Sequence, residues 1–255
     1  MPYAGIDVGA QSIKAVILEE NKILSYSILI TEEDGSVASR QALEEALDRA
    51  ALKMGDLKFI VSTGVGRSEG PAAGKQRSEQ MCHGRGARFL FPSARTVLDV
   101  GAEGCKAVKL SERGDIVDFA NNSKCAAGTG AFLEAMARIL EVSLEEMGEL
   151  AVKAKAKVKI SNFCAVFAES EVISQVHKGY PRDQILAGIH YSMADRISDL
   201  MGRVGLIDDV VMTGGGAKNI GLVKALEEII KKKILIPPEP IIVGALGAAL
   251  IAASV

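Results

Sequence analysis

Near the N-terminus, hydrophobic residues fall into short runs with the two-residue period of β-strands. The apolar run "YAGIDVG" ends in Asp-x-Gly, and the alternating segment "IKAVILEE", a polar turn and the apolar run "ILSYSILI" follow it. The same succession recurs in "TVLDVG", "CKAVKLSE" and "IVDFA". Strand periodicity bounded by turn residues predicts two β-meanders, each with a tight, glycine-bearing first hairpin.

Longer patterns predict helices. "GAFLEAMARIL" places Phe132, Leu133, Met136, Ile139 and Leu140 on one face, and "DQILAGIHYSMADRISDLMGRVG" is a longer amphipathic segment. In "DDVVMTGGGAKN" a β-branched run leads into a glycine loop and then the helix-forming "IGLVKALEEIIKKK". The C-terminal "IIVGALGAALIAASV" is apolar for 15 residues. Because a bilayer span needs ~20 residues, this run is predicted to be a buried helix.

The two meanders are an internal repeat. Residues 7–18, "DVGAQSIKAVIL", and residues 99–110, "DVGAEGCKAVKL", are identical at eight of twelve positions with an offset of 92. Identity at a fixed offset indicates a duplicated structural unit. We therefore expect an α/β chain of two similar lobes, the first formed by 1–94 plus 241–255 and the second by 95–240.

Composition narrows the classes of function. The chain has 255 residues, 48% of them hydrophobic, and a formal net charge of −2. It can bury a substantial core and offers no basic stripe for a nucleic-acid backbone. Met1 and Pro2 precede "YAGIDVGA" with no charged and apolar leader pattern, and four widely spaced cysteines do not suggest a disulfide framework. These features predict a cytoplasmic protein that binds neither nucleic acid nor membrane.

Each first hairpin has the chemistry of a phosphate site. Gly9 and Gly101 lack a Cβ, so backbone N–H groups of the turn can approach an anion, while Asp7 and Asp99 can hold magnesium through water. Either hairpin alone is also compatible with an ordinary glycine turn. Two in matched context predict a polyphosphate held from both sides. The glycine loop at 214–216, between a strand and a helix, suits close approach of a nucleotide.

Two of the four cysteines stand in front of predicted helices. Cys125 lies in "SKCAAGTGAFLE" and Cys164 in "NFCAVFAESEVIS", and the positive end of a helix stabilises a thiolate. Cys82 and Cys105 have no such setting, and Cys82, in "EQMCHGRGARFLF", is predicted to be a small core residue. The 39-residue separation of Cys125 and Cys164 excludes a compact CxxC knuckle, and two thiolates are too few for an iron–sulfur cube unless a two-fold dimer supplies another pair. From the residues alone, buried structural cysteines remain the simpler interpretation and a shared metal site the alternative.

Several motifs resemble known proteins. The order of "GIDVGAQSIKAV", "LDVGAEGCKAV", "VVMTGGGAKN" and "VGALGAAL" resembles the acetate and sugar kinase/Hsp70/actin superfamily. More narrowly, "STGVGR", "KCAAGTGAFLE", "CAVFAESEVIS" and "AGIHYSMADRI" resemble the BadF/BadG/BcrA/BcrD-type ATPases, which include activators of 2-hydroxyacyl-CoA dehydratases and the ATPase subunits of benzoyl-CoA reductase. The resemblance covers essentially the whole chain and implies a duplicated actin-like (ribonuclease H-like) two-lobe ATPase fold.

The resemblance also implies a function: an ATP-hydrolysing iron–sulfur protein that delivers a low-potential electron to a CoA-ester dehydratase or reductase. It implies ATP, magnesium and one [4Fe-4S] cluster shared between two subunits through Cys125 and Cys164, in a homodimer or a heterodimer with a paralogous ATPase subunit. Reduced ferredoxin or flavodoxin would be the electron donor. The implied catalytic residues are Asp7, Asp99 and Glu103, and the implied nucleotide contacts are Gly9, Ala10, Gln11, Ser12, Lys14, Gly101, Ala102, Gly128, Gly130, Gly214, Gly215, Gly216, Ala217 and Asn219.

Both hairpins depart from the family pattern. In dehydratase activators the second hairpin usually reads Asp-Ile-Gly-Gly-Gln-Asp, whereas "DVGAEG" has Ala102, Glu103 and Gly104. Either Glu103 takes over the polar role or hydrolysis is slow. "GAQS" replaces the usual Gly-Ser-Thr start of the first hairpin, so Ala10 and Gln11 supply no hydroxyl to a phosphate.

Other interpretations therefore stay open. One is a small-molecule kinase of the same superfamily, although no active-site aspartate base is evident. Another is a nucleotide-binding interaction protein with weak catalysis. Glu169 and Glu171, near Cys164 in sequence, are either exposed helix acids or part of an interface or a magnesium-linked site.

Overall fold

The first meander forms as its periodicity predicts, and it supplies three adjacent strands of a five-stranded sheet. The sheet contains β1 (Tyr3–Val8), β2 (Ser12–Glu19), β3 (Lys22–Ile30), β4 (Phe59–Thr63) and β5 (Lys75–Gln76). Its order is β3-β2-β1-β4-β5, with the meander antiparallel and β4 parallel to β1. Asp7 pairs in register with Lys14 on one side and Thr63 on the other. The first hairpin and the C-terminal end of β4 therefore lie side by side at the same end of the sheet.

The second meander repeats this architecture. Its sheet contains β6 (Thr96–Val100), β7 (Cys105–Leu110), β8 (Ile116–Asn122), β9 (Val210–Thr213) and β10 (Ile234–Leu235). The order is β10-β9-β6-β7-β8. Read from the opposite edge, as β8-β7-β6-β9-β10, it matches the first sheet strand for strand. The duplication inferred from twelve residues thus extends over whole sheets.

The chain divides by its internal contacts into two units. The structure is a computed structural model that describes residues 1–31, 34–71, 74–123, 126–161 and 164–255. The first unit contains 1–97, 110–117 and 237–255, and the second contains 98–109 and 118–236.

The apolar C-terminal run is a buried helix, as its hydropathy predicts. Helices of the first unit are α1 (Gly35–Arg49), α2 (Glu79–Leu90) and α8 (Val243–Ala252). A Cβ on Gly5 of β1 would overlap the carbonyl oxygen of Ala245, and one on Gly247 would overlap that of Cys82. These glycines let β1, α2 and α8 pack backbone against backbone. Among the described residues, no helix has the length and apolar composition of a membrane span.

The second unit is built around a long amphipathic helix. Its helices are α3 (Gly130–Ile139), α4 (Leu144–Lys153), α5 (Ala165–His177), α6 (Arg182–Val204) and α7 (Ile220–Ile230). The buried side of α6 includes Ile185, Leu186, Ile189, Met193 and Ile197, at the spacing of an amphipathic helix. α3 buries Phe132, Leu133 and Met136, the face that its sequence predicts. Hydrophobic contacts thereby anchor α3 and α6 in the core of this unit.

Candidate functional site

The first hairpin is a tight turn beside a buried carboxylate. Asp7 is 6% exposed, and Lys14 Nζ lies 3.8 Å from its Oδ2. Gly9 N donates a hydrogen bond to Ser12 O at 3.1 Å, and Lys14 Nζ donates to the same oxygen at 3.0 Å. A Cβ on Gly9 would lie 2.8 Å from Ser12 O, so the turn requires glycine. The tip of the hairpin consists of Ala10, Gln11 and Ser12, which are half-buried or exposed.

The second hairpin repeats this arrangement. Asp99 is 5% exposed, and Lys106 Nζ lies 3.5 Å from its Oδ2. Gly101 N donates to Gly104 O at 2.8 Å and closes the turn. Glu103 is exposed at the tip. Each hairpin therefore joins a buried aspartate, its lysine partner and a glycine turn.

The start of α3 is bound to the second hairpin. Gly130 N donates to Gly101 O and Ala131 N to Ala102 O, both at 2.9 Å. The first N–H groups of a helix have no partner inside the helix, and here hairpin carbonyls satisfy two of them. A Cβ on Gly130 would lie 3.2 Å from Ala102 Cα. Gly128, in the 3₁₀ turn before α3, is buried. The segment that follows Cys125 is thus connected directly to a predicted phosphate turn.

Two Thr-Gly loops lie beside the two aspartates. Gly214, after β9, has φ 80°, and a Cβ there would lie 2.5 Å from Val100 O and 2.6 Å from Asp99 Oδ1. Gly64, after β4, has φ 96°, and a Cβ there would lie 2.6 Å from Asp7 Oδ1. Only glycine combines this backbone conformation with so close an approach.

Two parts of these sites, the loop at 63–66 and Lys106, are not among those predicted from the sequence. The loop at 63–66, "TGVG", is the structural counterpart of "TGGG" at 213–216, and the two recur with an offset of 150. Lys106 is the counterpart of Lys14 at the 92-residue offset. Extending each short repeat by comparison of the two lobes would have identified both.

The glycine loop of the second unit presents some residues and buries others. Gly215 and Lys218 are exposed, whereas Gly216 and Ala217 are buried. Asn219 caps α7: its Oδ1 accepts from Leu222 N at 3.1 Å.

The side chain of Asn219 also joins α7 to its neighbours. Its Oδ1 lies 2.9 Å from His190 Nε2 on α6, and its Nδ2 donates to Leu144 O, at the start of α4, at 3.2 Å. Burial, the main cause, lowers the pKa of His190. Asn219 thereby fixes the end of the glycine loop to the core of the unit.

Cys82 and Cys105 are core residues, as predicted for Cys82. They are 0% and 1% exposed. Burial raises the pKa of Cys82 to about 12 and also raises the pKa of Cys105. Because the thiolate is the form that binds metals and reacts, these two thiols are unsuited to either role.

Cys164 has a different setting. It is the N-cap residue of α5, half-buried, with a free thiol and no side-chain capping bond. The next residues include Val166 and Phe167, which are 65% and 68% exposed. The predicted position in front of a helix is confirmed for Cys164. Cys125, the other predicted ligand, lies outside the described residues.

The chain before Cys164 is held at Ser161. Ser161 N donates to Glu171 Oε2 on α5 at 2.7 Å, and Ser161 O accepts from Ser192 Oγ on α6 at 3.0 Å. The sequence leaves the roles of Glu169 and Glu171 open. Of these two acids, Glu171 has a backbone partner three residues before the cysteine. Its carboxylate connects the cysteine segment to the helix that follows.

Carboxylates and thiols are dispersed in the described part of the chain. No group of three or more His, Cys, Asp and Glu side chains among those residues is close enough to enclose a metal ion. Carboxylates beside phosphate turns instead suit a magnesium ion bound through water and nucleotide oxygens. A thiol at a helix start suits a site completed by other thiols.

Comparison with known proteins matches nearly the whole chain. The BadF/BadG/BcrA/BcrD ATPase family profile covers residues 4–252. The activator of lactoyl-CoA dehydratase from Anaerotignum propionicum is 48% identical, over 97% of this chain and 96% of its own. A benzoyl-CoA reductase subunit from Thauera aromatica is 38% identical, over 97% of this chain and 91% of its own.

Solved structures give the same answer. The activator of the 2-hydroxyisocaproyl-CoA dehydratase from Clostridium difficile with bound ADPNP has a TM-score of 0.94 and 41% identity, covering 100% of this chain and 95% of that chain. A ROK hexokinase from Thermus thermophilus, 16% identical with a TM-score of 0.53 over 100% of this chain and 99% of its own, shares the fold alone. These neighbours confirm the predicted actin-like ATPase fold. The chain belongs to the BadF/BadG/BcrA/BcrD ATPase family.

Proposed function

We propose that this protein is an ATP-hydrolysing activator that delivers a low-potential electron to a 2-hydroxyacyl-CoA dehydratase. The observation that carries the proposal is full-length similarity to dehydratase activators, together with the half-buried thiol of Cys164 at the start of α5. Identity is higher to an activator, 48%, than to the benzoyl-CoA reductase component, 38%. This difference favours a dehydratase over a reductase as partner. The likeness to a hexokinase concerns the fold and gives a kinase no support.

ATP would be bound by the hairpins and the glycine loop. Asp7 and Asp99 are buried carboxylates beside glycine turns, and they would hold magnesium through water. Backbone N–H groups of such turns suit phosphate oxygens. Gly215, exposed in the loop before α7, allows a nucleotide to approach the backbone. We assign to Glu103 the polar role that glutamine or aspartate has in the usual family pattern.

The thiols of the chain fit one [4Fe-4S] cluster shared between two subunits. Such a cluster takes four thiolates. Burial removes Cys82 and Cys105 from the candidates, which leaves Cys125 and Cys164 in each chain. A two-fold dimer, of two copies or of this chain and a paralogue, supplies the second pair. When bound, the cluster provides a one-electron carrier.

Coupling of nucleotide to the thiols would use contacts inside the second unit. Gly130 N and Ala131 N hydrogen-bond to the carbonyls of the second hairpin, so a displacement of that hairpin moves the start of α3, which follows the Cys125 segment. Ser192 and Glu171 hold Ser161, before Cys164. ATP changes this arrangement only to the extent that it binds two conformations with different affinity.

The electron donor and location follow from this chemistry. A one-electron carrier needs a one-electron donor of low potential, and we propose reduced ferredoxin or flavodoxin for this role. Both are cytoplasmic proteins, and we place the reaction in the cytoplasm. ATP serves here as an energy source and not as a phosphate donor.

Two serine variants test the shared site. We expect anaerobically purified wild-type protein to be brown and to contain iron and acid-labile sulfide. Cys164→Ser removes two of the four ligands from a homodimer, or one of the four from a heterodimer, and should abolish both iron and sulfide, while Cys82→Ser should retain them. Iron content, sulfide content and visible absorption measure the result. Full cluster content in Cys164→Ser would contradict the shared site, and a colourless wild type that phosphorylates a small molecule would favour a kinase.

A further inference from the structure

A buried histidine lies beside the first aspartate. His83, on α2, is 4% exposed, and Asp7, on β1, is 6% exposed. A Cβ on Gly244, in the first turn of α8, would lie 2.7 Å from Asp7 Oδ2 and 2.9 Å from His83 Nε2. Both side chains therefore converge on the same point of the α8 backbone, from two different elements.

Close packing of helices creates this convergence. A Cβ on Gly86 would lie 2.9 Å from Val243 Cγ1, and one on Gly247 would overlap the carbonyl oxygen of Cys82. Because α2 packs this closely against α8, His83 lies near the end of β1. Glycine at position 244 leaves the space that the imidazole and the carboxylate share, and any larger residue would separate them.

The two oxygens of Asp7 have different surroundings. Oδ1 faces the Thr-Gly loop, because a Cβ on Gly64 would lie 2.6 Å from it. Oδ2 and His83 Nε2 border the same space beside Gly244, and Oδ2 lies 3.8 Å from Lys14 Nζ. Cys82, a buried neutral thiol on α2, also lies near Asp7, while α8, "VGALGAALIA", carries no titratable side chain. An imidazole N–H directed at Oδ2 would limit rotation of the carboxylate.

We propose that His83 is a positioning residue for Asp7: its Nε2–H donates a hydrogen bond to Oδ2 and holds the carboxylate in the orientation that binds magnesium during ATP hydrolysis. The inference rests on the proposed function of Asp7. A hydrogen bond to an ionised carboxylate is among the stronger ones in proteins. Its loss should appear in magnesium affinity and turnover more than in binding of nucleotide without metal.

Substitutions by glutamine, asparagine and leucine test the hydrogen bond. The amide nitrogen of glutamine reaches about where Nε2 of histidine lies, whereas that of asparagine lies nearer to the place of Nδ1. We expect His83→Gln to keep magnesium-dependent hydrolysis within roughly threefold of wild type. His83→Asn and His83→Leu should weaken apparent magnesium affinity or turnover by roughly 10- to 100-fold. Cys82→Ala, the buried neighbour on the same helix, is the matched control and should behave as wild type.

The measurements are magnesium titrations of ATPase rate at saturating ATP, ADP binding without metal, and circular dichroism. Wild-type magnesium dependence in folded His83→Asn or His83→Leu would overturn the inference, and so would equal losses in His83→Gln and His83→Asn. If the leucine variant fails to fold, the glutamine–asparagine pair decides alone. Asp7→Asn tests the underlying site: retained hydrolysis there refutes the proposed role of Asp7, whereas lost hydrolysis with a normal His83→Asn refutes only the role of His83.

Discussion

Replacing Gly214 by alanine should damage the second aspartate site. Gly214 has φ 80° and ψ 178°, a region essentially restricted to glycine, where another residue costs ~1–3 kcal/mol. The added Cβ would also lie 2.5 Å from Val100 O, well inside the ~3.3 Å of a close C···O contact. Together these effects should lower the free energy of unfolding by roughly 2–5 kcal/mol. The same Cβ would displace Asp99, whose Oδ1 lies 2.6 Å away.

The adjacent Gly215 supplies a control. It is exposed, and an added Cβ would meet no described atom within 4 Å. Gly215→Ala should therefore change unfolding free energy by less than ~0.5 kcal/mol. Because we place the nucleotide against the backbone of Gly215, the KM of the Gly215→Ala variant for ATP should nevertheless rise.

Thermal unfolding and ATPase kinetics separate the two variants. At roughly 2–4 °C per kcal/mol for a chain of this size, Gly214→Ala should melt roughly 4–20 °C lower and hydrolyse ATP slowly, while Gly215→Ala should melt as wild type does. A melting temperature of Gly214→Ala within ~2 °C of wild type would refute the steric argument. An unchanged KM in Gly215→Ala would show that ATP does not approach that residue.

Three further outcomes are expected. Glu171→Gln exchanges a charged acceptor of the Ser161 N–H for a neutral one, so a chelator should remove iron roughly fivefold faster. Glu169→Gln should match wild type, and equal rates for the two variants would show that Glu171 does not hold the segment before Cys164. Iodoacetamide at pH 8 should label Cys164 of cluster-free protein but not Cys82, since burial raises the pKa of Cys82 to about 12; peptide mass spectrometry checks this, and rapid native labelling of Cys82 would contradict its burial. Asn219→Ala should lower unfolding free energy in urea by about 1–2 kcal/mol through loss of the helix cap, and no loss would mean that the cap is dispensable.

The sequence repeat predicts the parts of the site that lie close together along the chain. Asp7, Asp99 and their glycine turns sit inside two twelve-residue copies, where identity at a fixed offset is informative. The third loop is harder to pair, because "TGVG" and "TGGG" share only three identical positions. Short signals of this kind gain meaning only once the sheets show that β4 and β9 are counterparts.

Contacts distant along the chain could not be predicted. His83 and Gly244 are separated by 161 positions, and nothing in either segment indicates that both approach Asp7. The bond from Ser161 N to Glu171 joins residues ten positions apart, and the hydrophobic periodicity does not specify this pairing. Hydrophobic pattern predicts which face of a helix is buried, but the partner of a particular polar atom depends on tertiary packing.

ATP-dependent activation of a dehydratase tests the central proposal most directly. An inactive 2-hydroxyacyl-CoA dehydratase is incubated anaerobically with this protein, a reductant and either ATP, ADP or a non-hydrolysable ATP analogue, and formation of the enoyl-CoA is followed. We predict that dehydration begins only when ATP and reductant are both present, and that Cys164→Ser does not support it. Activation by ADP or the analogue at the rate seen with ATP, or full activation by Cys164→Ser, would contradict the account.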